Sequence, residues 1–244
     1  TGVQTCALPI LSLTDQAIAF GAGALAEAGV RTMLGTVDPE NRNVISPSIY
    51  SEMVWEARKA RFMRDKGRFD WIAAVLRGLG PKASNVILYH IPQVTAVGLS
   101  MALIERLKKA FPAQIKGVKD SSGDWDNAQA LLKQHGDLHI LIGDERLLAR
   151  AMKLGASGAI TGLANVAPDL MRPLLDGVEE PRVNAMVEAV LPFAVTAAVK
   201  ALVGHRRNDA AAWSRMRAPL RSLGQAECLE LFAAIDAIRS RRAA

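Results

Sequence analysis

NVILYHIP (85–92), IKGVKD (115–120), LHILIG (138–143) and SGAITG (157–162) are four short apolar runs, each closed by proline, aspartate or glycine. Runs of this length and composition read as strands buried on both faces. Segments of helical period lie between them. Residues 99–111 set apolar Ile104, Leu107 and Phe111 against Glu105, Lys108 and Lys109. Residues 126–134 and 146–154 are the next two helices, and 168–175 carries proline in its first turn. Strand and helix alternate with links too short for anything but single-helix crossovers, which predicts parallel βα units. After Pro181 the pattern is helical, with three helices expected up to Arg242.

Upstream the signals thin out. Residues 13–29 have helical period, with Ser12 or Thr14 as cap and Gly29 as terminator, and 30–34 reads as a short strand. Residues 37–66 hold Pro39, Asn41, Asn43 and Pro47, then a charged helical stretch from about Ser48 to Lys66. A short helix is expected over 69–79, ended near Gly80 and Pro81. The first ten residues, TGVQTCALPI, back-translate to the sequencing-adapter stretch ACT GGA GTT CAG ACG TGT GCT CTT CCG ATC, so residues 1–10 are expected to be an artefact. The expected organisation is then a βα domain over 11–178, least readable at 37–68, and a helical region over 179–244.

Composition narrows the class. The chain has 244 residues, half of them hydrophobic and 22% charged, with a net charge of +6. That is enough for one large core and excludes disordered, collagen-like and disulfide-scaffold chains. Cys6 and Cys228 are far apart, which points to a reducing, cytoplasmic setting. The most apolar window, 189–199, is broken by Pro192 and is too short to cross a hydrocarbon core of roughly 30 Å. No membrane partner is expected. Basic residues cluster over 58–68 and 206–242, but without interleaved aromatics or a helix-turn-helix spacing, so solvated helix faces are the expectation and no nucleic acid is called for.

The chemistry sits at the carboxyl ends of the strands in βα barrels. Those ends hold Tyr89 and His90, Lys119 and Asp120, Gly143 to Glu145, and Thr161. Lys119 closes an apolar strand and precedes the turn-forming DSSGD. Drawn inward, such an amine loses some of its preference for the charged form and can attack a ketone. Left outward, it is a snorkelling surface lysine, and Tyr89 alone reads as core packing. His90, His135, His139 and His205 have no ligand spacing, so no metal and no cofactor are expected; His139 reads as structural.

ILYHIPQVT (87–95), GVKDSSGD (117–124), GDE (143–145) and GASGAITGLANVAPD (155–169), in that order, resemble the dihydrodipicolinate synthase and N-acetylneuraminate lyase family, with PFAVTAAVKALV (192–203) and RMRAPLRSL (215–223) extending the likeness. The resemblance covers about residues 69–223. It implies a (β/α)8 TIM barrel with C-terminal helices, and a class I aldolase that joins or splits pyruvate and an aldehyde. It implies that Lys119 forms the Schiff base and that Tyr89 relays protons. Gly143, Asp144, Glu145 and Ile160 would contact substrate, and the protein would be a homo-oligomer, by family habit a tetramer.

The departures matter as much. Dihydrodipicolinate synthases carry an arginine five residues after the tyrosine, to grip a second carboxylate; here that position is Val94. This favours a sugar-acid type of substrate. The family's Gly-Thr-Thr-Gly-Glu loop is absent, since MLGTVDPE (33–40) shares only Gly35 and Thr36 with it. The expectation is a barrel incomplete at its start, holding about strands four to eight, poorly folded or inactive by itself. The alternatives are a non-catalytic homologue or fragment, and a dehydratase relative using the same lysine.

Overall fold

The computed structural model describes residues 65–80, 85–95, 97–217 and 220–241. The helices expected over 13–29 and from Ser48, the strand over 30–34, and residues 1–10 lie outside them. The described chain falls into two compact units, one within Cys6–Ile140 and one within Leu141–Ala244.

The first unit opens with α1 (Asp65–Leu79), which runs unbroken through Gly67. The sequence placed a separate short helix at 69–79; the described helix includes Gly67 in its first turn, a position where glycine costs little, and packs through Ile72, Ala73 and Leu76. Then come β1 (Val86–His90), the single turn α2 (Pro92–Thr95), α3 (Met101–Ala110), β2 (Ile115–Asp120) and α4 (Trp125–Gln134). The run 85–92 therefore ends as a strand at His90, and Pro92 opens a helical turn, as suits a residue with fixed φ and no N–H to satisfy. Ser100 caps α3, its hydroxyl accepting from Leu103 N–H at 3.0 Å. Asp124 caps α4, its carboxylate accepting from Asp126 N–H at 2.9 Å. Gly123 before it sits at φ 72°, where only glycine is unstrained.

β1 and β2 are parallel, with Tyr89 opposite Lys119 and His90 opposite Asp120. α1 packs on α3, and α3 on α4. Leu103, Ile104, Leu107, Ile115 and Leu131 are at most 1% exposed, and each contributes about 1.5–3 kcal/mol by burial.

β3 (His139–Ile142) leads into the second unit. There Leu141 and Ile142 pair in parallel with β4 (Gly158–Ala159). The expected strand over 157–162 is thus only two residues long, because Gly158 adopts φ 142° and Thr161–Gly162 already turn into a 3-10 helix, Leu163–Asn165. The helices are α5 (Glu145–Lys153), α6 (Pro168–Leu175), α7 (Pro181–Val190), α8 (Val195–Arg207), the one-turn α9 (Ala210–Trp213) and α10 (Gln225–Ser240). After Pro181 the three expected helices are joined by that extra turn. α7 packs on α5 and α10, and α8 on α9 and α10. Among the described residues no single helix is long and apolar enough to cross a membrane. The apolar window 189–199 spans the break between α7 and α8, which bend by 116° and bury Val190, Ala197 and Ala198 in the core.

Candidate active site

Strand ends collect polar groups because the ladder stops there while the core continues underneath. At the ends of β1 and β2 four such groups are buried: Tyr89 (8% exposed), His90 (7%), Lys119 (6%) and Asp120 (3%). Parallel register puts Tyr89 beside Lys119, so both project from neighbouring strands to the same side. The Lys119 Nζ lies 4.1 Å from the centroid of the Tyr89 ring. Among the described residues Lys119 forms no ion pair with a carboxylate; the aromatic face is its neighbour. The snorkelling orientation is excluded by this burial.

The flanking groups are fully engaged. One Asp120 oxygen accepts from Ser122 N–H and the other from the Asn127 side chain, both at 3.0 Å. Asp120 is thereby held away from the role of counter-ion to Lys119. The His90 carbonyl accepts from Ser121 N–H at 2.8 Å. Its ring Nδ1 accepts from Leu99 N–H at 2.9 Å, which makes the neutral Nε2–H tautomer the bonded form. Burial pushes the His90 pKa below its ordinary value of 6.5; the carboxylates of Asp120 and Asp124 pull the other way without offsetting it. Gln93 donates to the Ser121 carbonyl and so ties α2 to the turn after β2. Val94, where the resemblance leads one to look for arginine, is 69% exposed.

The second unit holds the other expected residues. Gly143 is half-buried at the end of β3. Asp144 caps α5, accepting from Arg146 N–H at 3.0 Å, and its two oxygens also take the Arg146 guanidinium at 3.0 and 2.7 Å. Burial raises the Asp144 carboxyl, but the Arg146 hydrogen bonds outweigh it and hold the group below its usual range. Glu145 is 7% exposed and accepts from Leu163 N–H at 2.9 Å. Burial pushes its carboxyl up, against that hydrogen bond. Ile160 is half-buried, and its N–H is committed to the Ile142 carbonyl at 3.0 Å.

The geometry therefore joins Lys119 and Tyr89 directly. It joins Asp144, Glu145 and Ile160 through the turns they brace, at 143–146 and 160–163. Sequence reasoning noticed His90 and Asp120 at strand ends but gave them no task. The usable signal was DSSGDWDN (120–127), an Asx-type turn pattern in which Asp120 and Asn127 pair across the loop. His90 carried no comparable local signal, since its partner Leu99 is nine residues away. Among the described residues no three His, Cys, Asp or Glu side chains are grouped to hold a metal ion.

Comparison with known proteins bears on the family and the fold. Residues 73–232 match the dihydrodipicolinate synthetase family. A second, shorter match, to the ATPase MipZ family, covers residues 31–85, most of them before the described chain. An uncharacterized DapA-like lyase of Chloroflexus aurantiacus is 35% identical over 172 residues, covering 65% of this chain and 55% of that protein. A 4-hydroxy-tetrahydrodipicolinate synthase of Sorangium cellulosum is 42% identical over 84 residues, covering 34% of this chain and 28% of its own. Among solved structures, dihydrodipicolinate synthase from Agrobacterium tumefaciens is 46% identical, with a TM-score of 0.70 over 72% of this chain and 61% of that one. The N-acetylneuraminate lyase from Fusobacterium nucleatum complexed with pyruvate is 21% identical, with a TM-score of 0.57 over 72% and 61%, a likeness of fold alone. These neighbours have the TIM-barrel fold, and the parallel strands and crossover helices described above are part of such a barrel. The chain spans about half the length, 55%, of the first of these relatives.

Proposed function

The chain belongs to the dihydrodipicolinate synthetase family, and from that premise we propose that it serves a carbon–carbon lyase that works on pyruvate through an imine at Lys119. The observation that carries the reading is the Lys119–Tyr89 pair: register neighbours, both buried, amine against ring at 4.1 Å. The unprotonated Lys119 amine adds its lone pair to the keto carbon; the former carbonyl oxygen takes one proton from the nitrogen and one from solvent and leaves as water, and a protonated iminium results. The iminium withdraws electrons, so a methyl proton is lost and an enamine forms. The enamine carbon attacks an aldehyde, making one carbon–carbon bond; hydrolysis then returns Lys119. Run backwards, the same steps cleave that bond. Tyr89 takes the proton-relay role, its ring held by the strand and its hydroxyl left to exchange protons with the adduct.

The substrate in this proposal is a sugar acid or related hydroxy-keto acid, joined from or split into pyruvate and an aldehyde. Val94 offers no guanidinium for a second carboxylate, and it stands in the open at 69% exposure. Gly143, Asp144, Glu145 and Ile160 are the proposed substrate contacts. Asp144 and Glu145 act there chiefly by fixing backbone, since their carboxylates already serve Arg146 and Leu163. Family habit makes a homo-oligomer part of the same reading.

Enamine formation is tested without knowing the aldehyde. In deuterium oxide the pyruvate methyl signal should disappear in the presence of the protein, as each enamine is re-protonated with deuterium. Lys119→Ala should abolish the exchange. Exchange that persists in that variant, or none in the parent, contradicts the proposal.

A further inference from the structure

His90 binds three segments at once. Its backbone belongs to β1, its carbonyl accepts from Ser121 N–H at 2.8 Å, and its ring accepts from Leu99 N–H at 2.9 Å. The residues it captures, 97–100, lead into α3 and contain no regular hydrogen-bond ladder of their own. They are held from the other side by α1, where Arg68 donates to the Gly98 carbonyl at 3.4 Å and the Ser100 hydroxyl donates to Asp65. The fit is close: a Cβ on Gly98 would stand 3.4 Å from His90 Cε1. A ring nitrogen that accepts a hydrogen bond carries no proton, so the contact exists only while the imidazole is neutral.

We propose that His90 is a positioning residue: its neutral ring pins residues 97–100 to the end of β1 and so fixes the strand end that presents Tyr89 and, across the ladder, Lys119. Protonation puts a hydrogen on Nδ1, turns an acceptor into a donor facing the Leu99 N–H, and releases the pin. The charged and titratable groups around the ring are Tyr89 on β1, Lys119 and Asp120 on β2, Asp124 at the start of α4, and Arg68 and Asp65 of α1 beyond the pinned segment. Asp120 is the in-register neighbour, its two oxygens accept from Ser122 and Asn127, and its charge acts on the ring through space.

The test uses the whole chain and two substitutions. In His90→Asn the amide oxygen occupies the position of Nδ1, accepts from Leu99 N–H and does not titrate. In His90→Phe the acceptor is gone at every pH. The proposal rests on the imine reading only for its first readout, the rate of borohydride-trapped pyruvate adduct relative to the parent from about pH 8 to about pH 5. Each variant is taken as a ratio to the parent at the same pH. Asn should equal the parent at high pH and exceed it at low pH by about two- to tenfold. Phe should lag by a similar factor at high pH and converge with the parent at low pH, where both lack the pin. Ratios that stay flat with pH mean a merely structural residue and overturn the proposal. The second readout is independent of any substrate: nitrogen-detected NMR of the His90 ring should report the Nε2–H tautomer and a shift of the Leu99 amide as the ring titrates. A protonated Nδ1 at neutral pH, or a Leu99 amide indifferent to that titration, overturns it. Should no adduct form at any pH, the imine reading fails while the NMR readout still decides on His90. Should His90→Phe not fold, the Asn ratio and the ring nitrogens decide.

Discussion

Tyr89 carries two functions in one side chain, and they separate by substitution. Its ring packs the Lys119 amine at 4.1 Å, while its hydroxyl is the proposed proton relay. Tyr89→Phe keeps the ring and should leave imine formation at Lys119 within a small factor of the parent. It should slow methyl-proton exchange of pyruvate by about 10²-fold or more, the usual worth of a positioned proton donor. Equal exchange in the two proteins would remove Tyr89 from the relay. Glu145 gives a second prediction at this scale. Its carboxyl is raised by burial, so the folded state holds the proton more tightly than the unfolded chain does. The stability it contributes is fully present below the unfolded pKa and is lost as pH rises through the folded one. Glu145→Gln keeps an oxygen for Leu163 N–H and removes the charge, so its melting temperature should match or exceed the parent's near neutral pH and converge with it in acid. Glu145→Ala strands a buried N–H and should cost about 1–3 kcal/mol at any pH, read by thermal melts. His90 has the opposite sense: its ring is shifted down, so its contribution is present above its ordinary 6.5 and falls away as pH drops through the folded value.

At the scale of elements, the strands of the first unit approach closely, and one glycine makes that possible. A Cβ on Gly117 would stand 2.4 Å from the His139 carbonyl oxygen and 2.8 Å from Ile87 Cδ1. Backbone cannot yield as a flexible side chain can, so Gly117→Ala should destabilise by about 1–3 kcal/mol or more. A chemical-denaturation midpoint unchanged from the parent would contradict this packing. The apolar runs around Val86, Ile115 and His139 were legible as strands because burial on both faces leaves an uninterrupted apolar signature. The helices 101–110 and 125–134 were legible to within two residues from their apolar period; the caps that set their starts, Ser100 and Asp124, were not singled out in the sequence. Residues 157–162 were misread in length. SGAITG is apolar enough for a full strand, but Gly158 at φ 142° and the commitment of Leu163 N–H to Glu145 turn the chain after two residues. Apolar content does not encode that choice. The Tyr89–Lys119 pair was legible as two strand ends, and parallel register supplied their contact. The pins made by His90 and Asp120 were not, because they depend on partners in loops whose path no local pattern dictates.

At the scale of the whole molecule, the family match over 73–232 and the partial coverage of relatives set what has to be tested. Each compact unit is internally consistent: one holds the Lys119–Tyr89 pair, the other the braced turns at 143–146 and 160–163. Several of the basic residues that lift the net charge to +6 are used inside the fold, Arg146 on Asp144, Arg182 on Glu180 and Arg239 on Asp169. The central claim is that the Lys119 amine is a nucleophile toward a keto acid. It is tested most directly by reducing a mixture of the chain and pyruvate with borohydride and mapping the adduct by peptide mass spectrometry. The account predicts a single reduced pyruvyl adduct on Lys119, retained in Tyr89→Phe and lost in Lys119→Ala. No adduct, or one spread over the exposed lysines and unaffected by Lys119→Ala, would contradict it.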